Sequence, residues 1–344
     1  MLVGITCDLR QEYLDQGFTE DEVAEFDSPR TVEGIEEALR GLGHQTVRIG
    51  RLPSLVKRLA AGESWDLVFN IAEGMGGLGR EAQVPALLEY YGIPYTFSDP
   101  VTLGLTLHKA LAKRVVRDLG LATPDFAVVE TPEQAKKLKL DFPLFAKPLA
   151  EGTGRGVDAK SMVRNPRELE QVCSSLLRQY QQPVLVEAFL PGREFTVGIA
   201  GTGEKARVLG GMEVVLKSKA EAHAYSYVNK ENCESLVAYQ PLKGPEAEES
   251  FELSLAAWRG LGCRDAGRVD LRCDAAGRPQ FLEVNPLAGL HPEHSDLPIL
   301  CGMAGISYAQ LIGEIVESAL ERAAPKNLLK DYLSYPAVRV ASAV

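Results

Sequence analysis

Short apolar runs that alternate with helix-patterned segments fill the first hundred residues of this chain. The strand-like runs are Leu2–Cys7, Gln45–Ile49, Trp65–Ile71 and Ile93–Phe97, and the segments with apolar residues at helical spacing are Thr31–Leu42 and Gln83–Tyr91. Strands that alternate with helices form parallel βαβ units. The sequence therefore predicts an α/β fold that begins with a parallel sheet.

The rest of the chain has a different pattern and predicts further domains. At 344 residues the chain is longer than a single core usually supports. A basic helix begins near His108, and strands joined by tight turns follow it, such as Ala266–Cys273 with Pro279–Val284. We place the domains at residues 1–106, 107–188 and 189–344.

Charge and composition exclude several classes of partner. The net charge of −10 argues against nonspecific binding to nucleic acid or to an anionic membrane. No apolar run has the length of a membrane span, and the first ten residues have the pattern of a core strand and not of a signal peptide. Six scattered cysteines without a CxxC pair indicate reduced thiols, so we expect a cytoplasmic protein.

A glycine-rich loop follows the predicted strand that carries Lys147. The loop EGTGRGV, residues 151–157, has glycines that allow backbone N–H groups to approach an anion closely. Such a loop is a plain turn about as often, and it lacks the GK[ST] ending of a Walker motif. It also lies far from the first strand, which argues against a dinucleotide-binding fingerprint. Lys147 nevertheless supplies a cation that can reach bound phosphates.

Two neighbouring predicted strands carry polar side chains at alternate positions. Arg268 and Asp270 lie on the first, and Glu283 and Asn285 lie on the second, after the turn DAAGR. Carboxylate and amide oxygens are hard ligands that suit Mg²⁺ bound together with substrate phosphates. The alternative is the solvated face of a hairpin. The occurrence of both strands together favours the metal.

Strict alternation also predicts which face each side chain of the segment FLEVN occupies. Phe281, Glu283 and Asn285 should share one face, and Leu282 and Val284 should share the other. A further segment, VLVEAFLPGREFT, has Glu187 at the end of an apolar strand and Glu194 after a Pro-Gly turn. It could hold an adenine amino group and a ribose hydroxyl, although alone it is more typical of a charged hairpin turn.

Taken in order, these motifs resemble the ATP-grasp superfamily and, within it, the D-alanine–D-alanine ligases. The resemblance runs from about Leu2 to Leu311, and its most specific part is the ordered set FAKP, EGTGRGV, VEAFLPGREFTV, GRVDLRCD and LEVN. It implies a three-domain ATP-grasp fold, in which an N-terminal parallel βαβ domain precedes two α+β domains that sandwich ATP. The implied reaction activates a carboxylate as an acyl phosphate and joins it to an amine, with small-molecule substrates. Homodimers are usual in this family.

The resemblance also implies a role for individual residues. Those matching the nucleotide-binding positions are Lys109, Lys147, Glu151, Thr153, Glu187, Phe189, Leu190 and Glu194. Those matching the ligands of two Mg²⁺ ions, with Mn²⁺ as an alternative, are Asp270, Glu283 and Asn285. Those matching the catalytic groups are Arg268, the backbone N–H of Gly289, and Lys230 in a mobile loop. The glycine-rich loop and residues 218–234 would close over the site as lids.

The substrate-facing segments depart from the family. Where the ligases have a His-Gly…Gly-Glu-Asp-Gly segment, this chain has AEGMGGLGREAQ, and Glu231 replaces a tyrosine that follows the loop lysine in many members. The candidates for substrate contacts are Glu25 or Asp27 for the donor's amine, Ser295 for the acceptor, Asp296, which would repel an acceptor carboxylate, and His291.

His291 and His294 are spaced by three, so they could share a metal ion only on a helical turn. Pro292 lies between them and no cysteine is near, which favours a role for one histidine beside the amine. Three functions follow: a D-alanine–D-alanine type ligase, a ligase of the same mechanism for other amino acids or amines, or a nucleotide-binding protein without turnover.

Overall fold

Residues 1–221 and 226–323, which the computed structural model describes, form three sheets. The first is parallel, in the order β2-β1-β3, and its strands are β1 (Leu2–Cys7), β2 (Gln45–Arg48) and β3 (Leu67–Ile71). The N-terminal parallel sheet is thus confirmed. The predicted strand Ile93–Phe97 is wrong: only Tyr95 forms a bridge, to Val68. Pro94 has no N–H to donate, and a φ of 72° at Phe97 ends the extended geometry.

The other two sheets are antiparallel. The second has the order β4-β7-β5-β6, from β4 (Phe126–Val129), β5 (Leu144–Pro148), β6 (Met162–Val163) and β7 (Val184–Ala188). The third has the order β10-β9-β8-β11-β12, from β8 (Glu194–Ala200), β9 (Arg207–Leu216), β10 (Val237–Pro241), β11 (Ala266–Cys273) and β12 (Pro279–Asn285). Lys147 lies on β5, and Arg268 and Asp270 lie on β11.

Helices join and cover these sheets. They are α1 (Arg10–Leu14), α2 (Pro29–Gly41), α3 (Leu52–Ala60), α4 (Gln83–Tyr90), α5 (Pro100–Leu107), α6 (Lys109–Asp118), α7 (Pro132–Lys136), α8 (Pro166–Tyr180), α9 (Tyr227–Glu231), α10 (Cys233–Leu236), α11 (Pro245–Gly260), α12 (Asp296–Met303) and α13 (Tyr308–Ala323). Ser28 and Asn165 cap α2 and α8, each followed by a proline at the first helical turn. The proposed lid at residues 218–234 contains α9, and its residues 222–225 lie outside the described part.

One hydrophobic core joins the two ends of the described chain. Ile5 and Phe69 of the first sheet belong to the same buried cluster as Leu311 and Ile315 of α13. The last helix of the predicted 189–344 domain therefore packs on the N-terminal domain. The domain boundaries stay a prediction, and residues 324–344 lie outside the described part.

All six cysteines are buried and have free thiols. In the described part of the chain, no single helix is both long and apolar enough to cross a membrane. The helices α12 and α13 reach that length and composition only as a pair bent by 112°.

Candidate active site

A cavity of about 830 Å³ is lined by residues of both antiparallel sheets, and we call it the intersheet cavity. Apolar side chains form one part of its wall, namely Phe145, Phe189, Leu190 and Leu282. Ionisable side chains form another, namely Lys109, Lys147, Glu187, Glu194, Lys230, Asp270 and Glu283. The cavity can therefore accommodate a ligand that has an apolar, planar part and an anionic part.

Lysines and carboxylates face each other across this cavity. Lys147 Nζ lies 3.0 Å from Glu187 Oε1 and 4.0 Å from Glu283 Oε2. Lys109 Nζ lies 3.6 Å from Glu283 Oε2, and it donates to the carbonyl oxygen of Glu151 at 2.5 Å. Burial opposes ionisation of Glu283, but Lys109 and Lys147 outweigh it and hold the pKa of that carboxyl below its usual range.

Lys113, which the sequence reasoning missed, completes this network from behind. It is fully buried on α6, and its Nζ lies 2.9 Å from Glu187 Oε2. The same Nζ donates to the carbonyl oxygen of Phe281 and to Thr123 Oγ1, each at 3.1 Å. Burial lowers the pKa of Lys113 to about 8. Glu187 is thus held between two buried lysines. The sequence signal that could have identified Lys113 is that it is the second lysine of the segment HKALAK.

The hairpin of β11 and β12 brings the predicted metal ligands together. Asp270 pairs with Glu283 in the strand register, and Arg268 pairs with Asn285. Asn285 Nδ2 donates to Asp270 Oδ2 at 3.2 Å. Burial raises the pKa of Asp270, and the negative charge of Glu283 adds to that increase. Such crowded oxygen donors are suited to a divalent cation.

The predicted faces of the FLEVN segment are partly wrong. A register shift between Asp270 and Leu271 lets Asp270 pair with Glu283 while Leu271 pairs with Phe281. The irregularity breaks the alternation. Phe281 is therefore fully buried in the core with Val284, and Leu282 lines the intersheet cavity beside Glu283.

Arg268 lies between two carboxylates. It is ion-paired with Asp270, and its NH1 atom lies 3.7 Å from Asp296 Oδ2. Although burial disfavours its charge, these carboxylates raise the pKa of Arg268. Nearby, a Cβ at Gly289 would lie 2.8 Å from Ser295 Oγ, so a side chain at this position would force Ser295 or the Gly289 backbone to shift. Ser295 Oγ accepts from the backbone N–H of His291 at 2.9 Å.

The glycine-rich loop contacts the N-terminal part of the chain. The backbone N–H of Gly152 donates to Glu25 Oε1, and Arg155 pairs with Asp21 at 2.9 Å. Arg155 also pairs with Glu151 at 2.7 Å. Thr153, with a φ of 52°, does not line the intersheet cavity, unlike the other seven residues matched to nucleotide-binding positions. It lines two neighbouring cavities instead.

The apolar end of the intersheet cavity is built around Phe189. Its ring stacks on Phe145, with centroids 6.5 Å apart, and Arg272 lies over it at 5.1 Å. Arg272 NH1 is also 3.3 Å from Glu194 Oε2. Burial raises the pKa of Glu194. Arg272 was not foreseen, because no local pattern distinguishes it from an exposed strand arginine.

Two further cavities adjoin the first. The histidine cavity, about 1230 Å³, is lined by residues that include Glu25, Asp27, Lys230, Arg268, Gly289, His291, His294, Ser295 and Asp296. The acidic cavity, about 670 Å³, is lined by residues that include Glu25, Glu73, Glu81, Lys109, Thr153, Arg268, Glu283, Asn285 and Gly289. Arg268 and Gly289 line both of them, and Lys230 lines the histidine and intersheet cavities.

The two histidines of the pair lie close together. The rings of His291 and His294 are 4.7 Å apart at their centroids. One ring nitrogen of each histidine and a carboxylate oxygen of Glu293 all lie within 4.8 Å of one another. The backbone N–H of Ser295 donates to the carbonyl oxygen of His291 at 3.2 Å, which closes one turn over this segment. The two histidines are thus brought together by a single helical turn, as the sequence spacing required.

A parallel N-terminal sheet, followed by two antiparallel sheets that enclose lysines and carboxylates in a cavity, defines an ATP-grasp protein. Comparison with known proteins supports this class. Residues 115–317 match the family model described as the D-ala D-ala ligase C-terminus. The crystal structure of the D-alanine–D-alanine ligase from Bacillus anthracis complexed with ATP has a TM-score of 0.72 to this chain at 22% identity, covering 94% of this chain and 98% of the other.

Related protein sequences reach a higher identity. An uncharacterised protein of Sinorhizobium fredii is 34% identical over 85% of this chain and 88% of its own length. A D-alanine–D-alanine ligase of Bordetella petrii is 32% identical over 83% of this chain and 86% of its own length. The chain belongs to the D-alanine–D-alanine ligase family. It is an ATP-dependent ligase of the kind that joins a carboxylate to an amine.

Proposed function

We propose that the intersheet cavity binds ATP, with the adenine ring at its apolar end and the phosphates at its charged end. Phe189 and Leu190 would frame the adenine, and Glu194 would contact the ribose. Lys109 and Lys147 would contact the phosphates, since both already face the carboxylate of Glu283. Seven of the eight positions that the resemblance assigns to the nucleotide line this one cavity, which supports the proposal.

The donor atoms of the hairpin fit magnesium. Asp270, Glu283 and Asn285 offer hard oxygen ligands from paired strand positions, and Asp270 and Glu283 disfavour each other's charge. A divalent cation would relieve that repulsion. We propose that these three residues hold two Mg²⁺ ions, for which Mn²⁺ could substitute. Bound Mg²⁺ would neutralise negative charge on the phosphoryl group during its transfer.

One observation supports the reaction most directly: Lys109 and Lys147 both lie near Glu283, which pairs with Asp270 across the hairpin. We propose that the donor's carboxylate attacks the γ-phosphate, that ADP leaves, and that an amine then displaces phosphate from the acyl phosphate. Arg268 and the backbone N–H of Gly289 would donate hydrogen bonds to the oxyanion formed in the second step. Lys230, which lines the intersheet and histidine cavities, would contact the transferred phosphoryl group.

The acceptor would bind in the histidine cavity, and its chemistry follows from Asp296. This aspartate is 8% exposed, lies beside Ser295, and lines the cavity next to Arg268. Its charge would oppose an acceptor carboxylate. We therefore propose an amine acceptor without a free carboxylate, with His291 placed to receive the proton that the amine loses.

A second candidate is the joining of two D-alanines. It is favoured by the names of relatives that are 31–32% identical to this chain. A panel experiment separates the two. ADP release would be measured with ATP, Mg²⁺, pooled amino acid donors and either D-alanine or D-alaninamide as acceptor, and the products would be identified by mass spectrometry. A preference for D-alaninamide supports our proposal, and a clear preference for D-alanine refutes it. Binding of ATP without ADP release from any pair would refute turnover altogether.

A further inference from the structure

The loop between β3 and α4 carries two glutamates into the acidic cavity. Glu73 follows β3, and Glu81 lies in a 3₁₀ turn, Arg80–Ala82, that precedes α4. Gly74 makes the connection tight: a Cβ there would lie 2.6 Å from the carbonyl oxygen of Arg80, and its φ is +74°. This closure puts both glutamates on the wall of one cavity. They belong to the segment AEGMGGLGREAQ, where the sequence departs from its family.

Glu25, the sequence candidate for the donor's amine, already has partners. Its Oε2 atom is 2.8 Å from Arg80 NH2, and its Oε1 atom accepts from the backbone N–H of Gly152. Arg80 in turn donates to the carbonyl oxygen of Ala150 at 2.9 Å. The positive charge of Arg80 and both oxygens of Glu25 therefore hold the glycine-rich loop against the N-terminal part of the chain.

Glu73 and Glu81 have no such partners. Within residues 1–221 and 226–323, neither side chain makes a hydrogen bond or an ion pair, although Glu81 is only 9% exposed. Burial raises the pKa of Glu81 to about 7. Burial, followed by the charge of Glu81, raises the pKa of Glu73 well above its usual range. The charge of Arg80 offsets part of this increase for both carboxyls, and Lys109 does so for Glu81. Neither cation forms an ion pair with these glutamates in the described part of the chain, so both carboxylates remain open to a cationic ligand.

The acidic cavity is also lined by groups of the other sign. Lys109, Arg268 and Gly289 line it, and these are the groups that we assign to the phosphate and to the oxyanion. A donor would therefore place its carboxylate beside Arg268 and Gly289. Its cationic groups would extend toward Glu73 and Glu81.

A metal ion is the weaker explanation for the two glutamates. In the described part of the chain, the only three His, Cys, Asp or Glu residues whose ligand atoms lie within 4.8 Å of one another are His291, Glu293 and His294. Glu25, Glu73 and Glu81 do not converge in that way. Carboxylates that line one cavity without converging on a point suit an extended organic cation better.

We propose that the donor substrate is a basic amino acid, whose α-ammonium and side-chain ammonium or guanidinium groups are recognised by Glu73 and Glu81. This inference rests on the proposed function, because it takes the acidic cavity as the donor site. The acceptor does not enter the argument, so donor selectivity can be tested with a generic nucleophile.

Hydroxylamine supplies that nucleophile. The donor carboxylate displaces ADP from the γ-phosphate, and the nitrogen of hydroxylamine then displaces inorganic phosphate to give a hydroxamate that is measured by its iron complex. Lysine, ornithine and arginine would be compared with norleucine, norvaline and citrulline, as both enantiomers. We expect kcat/KM to favour the basic donors by about tenfold or more. Equal or better turnover of the neutral donors would overturn the proposal.

Charge-neutralising variants locate the selectivity. Glu81→Gln and Glu73→Gln preserve shape and should each reduce the preference for basic donors at least several-fold. The kcat/KM of neutral donors should fall less, because neutral donors share only the α-ammonium group. The exposed Glu33→Gln is the matched control and should keep the full preference. A preference that survives in both cavity variants would sink the assignment. Two independent variants are used so that a folding defect in one leaves the other to decide.

The failure of the proposed function has a different signature. If no donor yields hydroxamate, calorimetric titration of lysine and norleucine into the protein with ADP and Mg²⁺ still reports on the cavity. Selective lysine binding that is lost in Glu81→Gln would support the cavity assignment and reject the ligase mechanism. The absence of selective binding would reject the assignment as well.

Discussion

Replacing Glu187 by glutamine tests whether burial, and not distance, gives the ion pairs of the intersheet cavity their strength. The substitution keeps the shape of the side chain and removes one negative charge. Lys113 Nζ and Lys147 Nζ lie 2.9 Å and 3.0 Å from its two oxygens, and the three residues are 0–8% exposed. The ionised form of Glu187 is favoured overall: burial opposes it, but the two lysines lower the pKa of the carboxyl.

The magnitude follows from what the variant leaves behind. Two buried cations would remain without their shared counterion, and breaking a buried pair by removing one partner costs about 3–5 kcal/mol. Lys147 keeps a second carboxylate, Glu283, at 4.0 Å, whereas Lys113 keeps only the neutral acceptors Phe281 and Thr123. Lys113 therefore accounts for most of the loss. We expect the free energy of unfolding to fall by about 3–5 kcal/mol at pH 6.

The pH dependence has a definite sign. Lys113 in the native protein has a pKa of about 8, already below its ordinary value because of burial, and loss of Glu187 lowers it further. Between the lower pKa of the variant and about pH 8, the folded variant binds fewer protons than the folded wild type. Its stability deficit must then shrink as pH rises, by at most about 1.4 kcal/mol per pH unit. The deficit should be smaller at pH 8 than at pH 6.

Urea unfolding, followed by circular dichroism at both pH values, measures this deficit. Glu321→Gln is the control, because Glu321 pairs with Lys205 at 2.8 Å while both side chains are mostly exposed, at 57% and 74%. That variant should lose less than about 1 kcal/mol at either pH. The reasoning is refuted if Glu187→Gln loses no more stability than the control, or if its deficit grows between pH 6 and pH 8.

Three further outcomes are expected. Glu283→Gln should abolish ADP release while the far-ultraviolet circular dichroism is unchanged, because it removes a metal ligand's charge without changing shape; full activity would count against the metal assignment. Gly289→Ala should lower kcat by about 10²–10³-fold, since its Cβ would lie 2.8 Å from Ser295 Oγ and displace an oxyanion donor; steady-state kinetics with a normal kcat would contradict this. Glu81→Gln should match the wild type in thermal stability at pH 4 and exceed it at pH 8 by at most about 3 kcal/mol. The reason is that the raised pKa of Glu81 makes the wild type lose stability as the pH rises from 4.5 through about 7. Thermal melts with no difference at pH 8 would argue against an unpartnered carboxylate.

Local sequence determined the elements and the order of the motifs. The strands Leu2–Cys7 and Ala266–Cys273 have the predicted bounds, because the patterns that define them act within a few residues. The motifs also named the lysines and carboxylates that line the intersheet cavity. Their ordered spacing carries that information without any knowledge of the packing.

Only the tertiary structure decided which groups are paired. The bulge at the hairpin moved Leu282 to the cavity and Phe281 to the core, and alternation alone cannot predict an irregularity that depends on the partner strand. Lys113 pairs with Glu187, which lies 74 positions away in the sequence. Glu25, expected to bind the donor's amine, instead pairs with Arg80, 55 positions away. The sequence shows which side chains can carry a charge. Whether that charge is satisfied depends on long-range contacts, and so the unpartnered Glu81 became visible only in the folded chain.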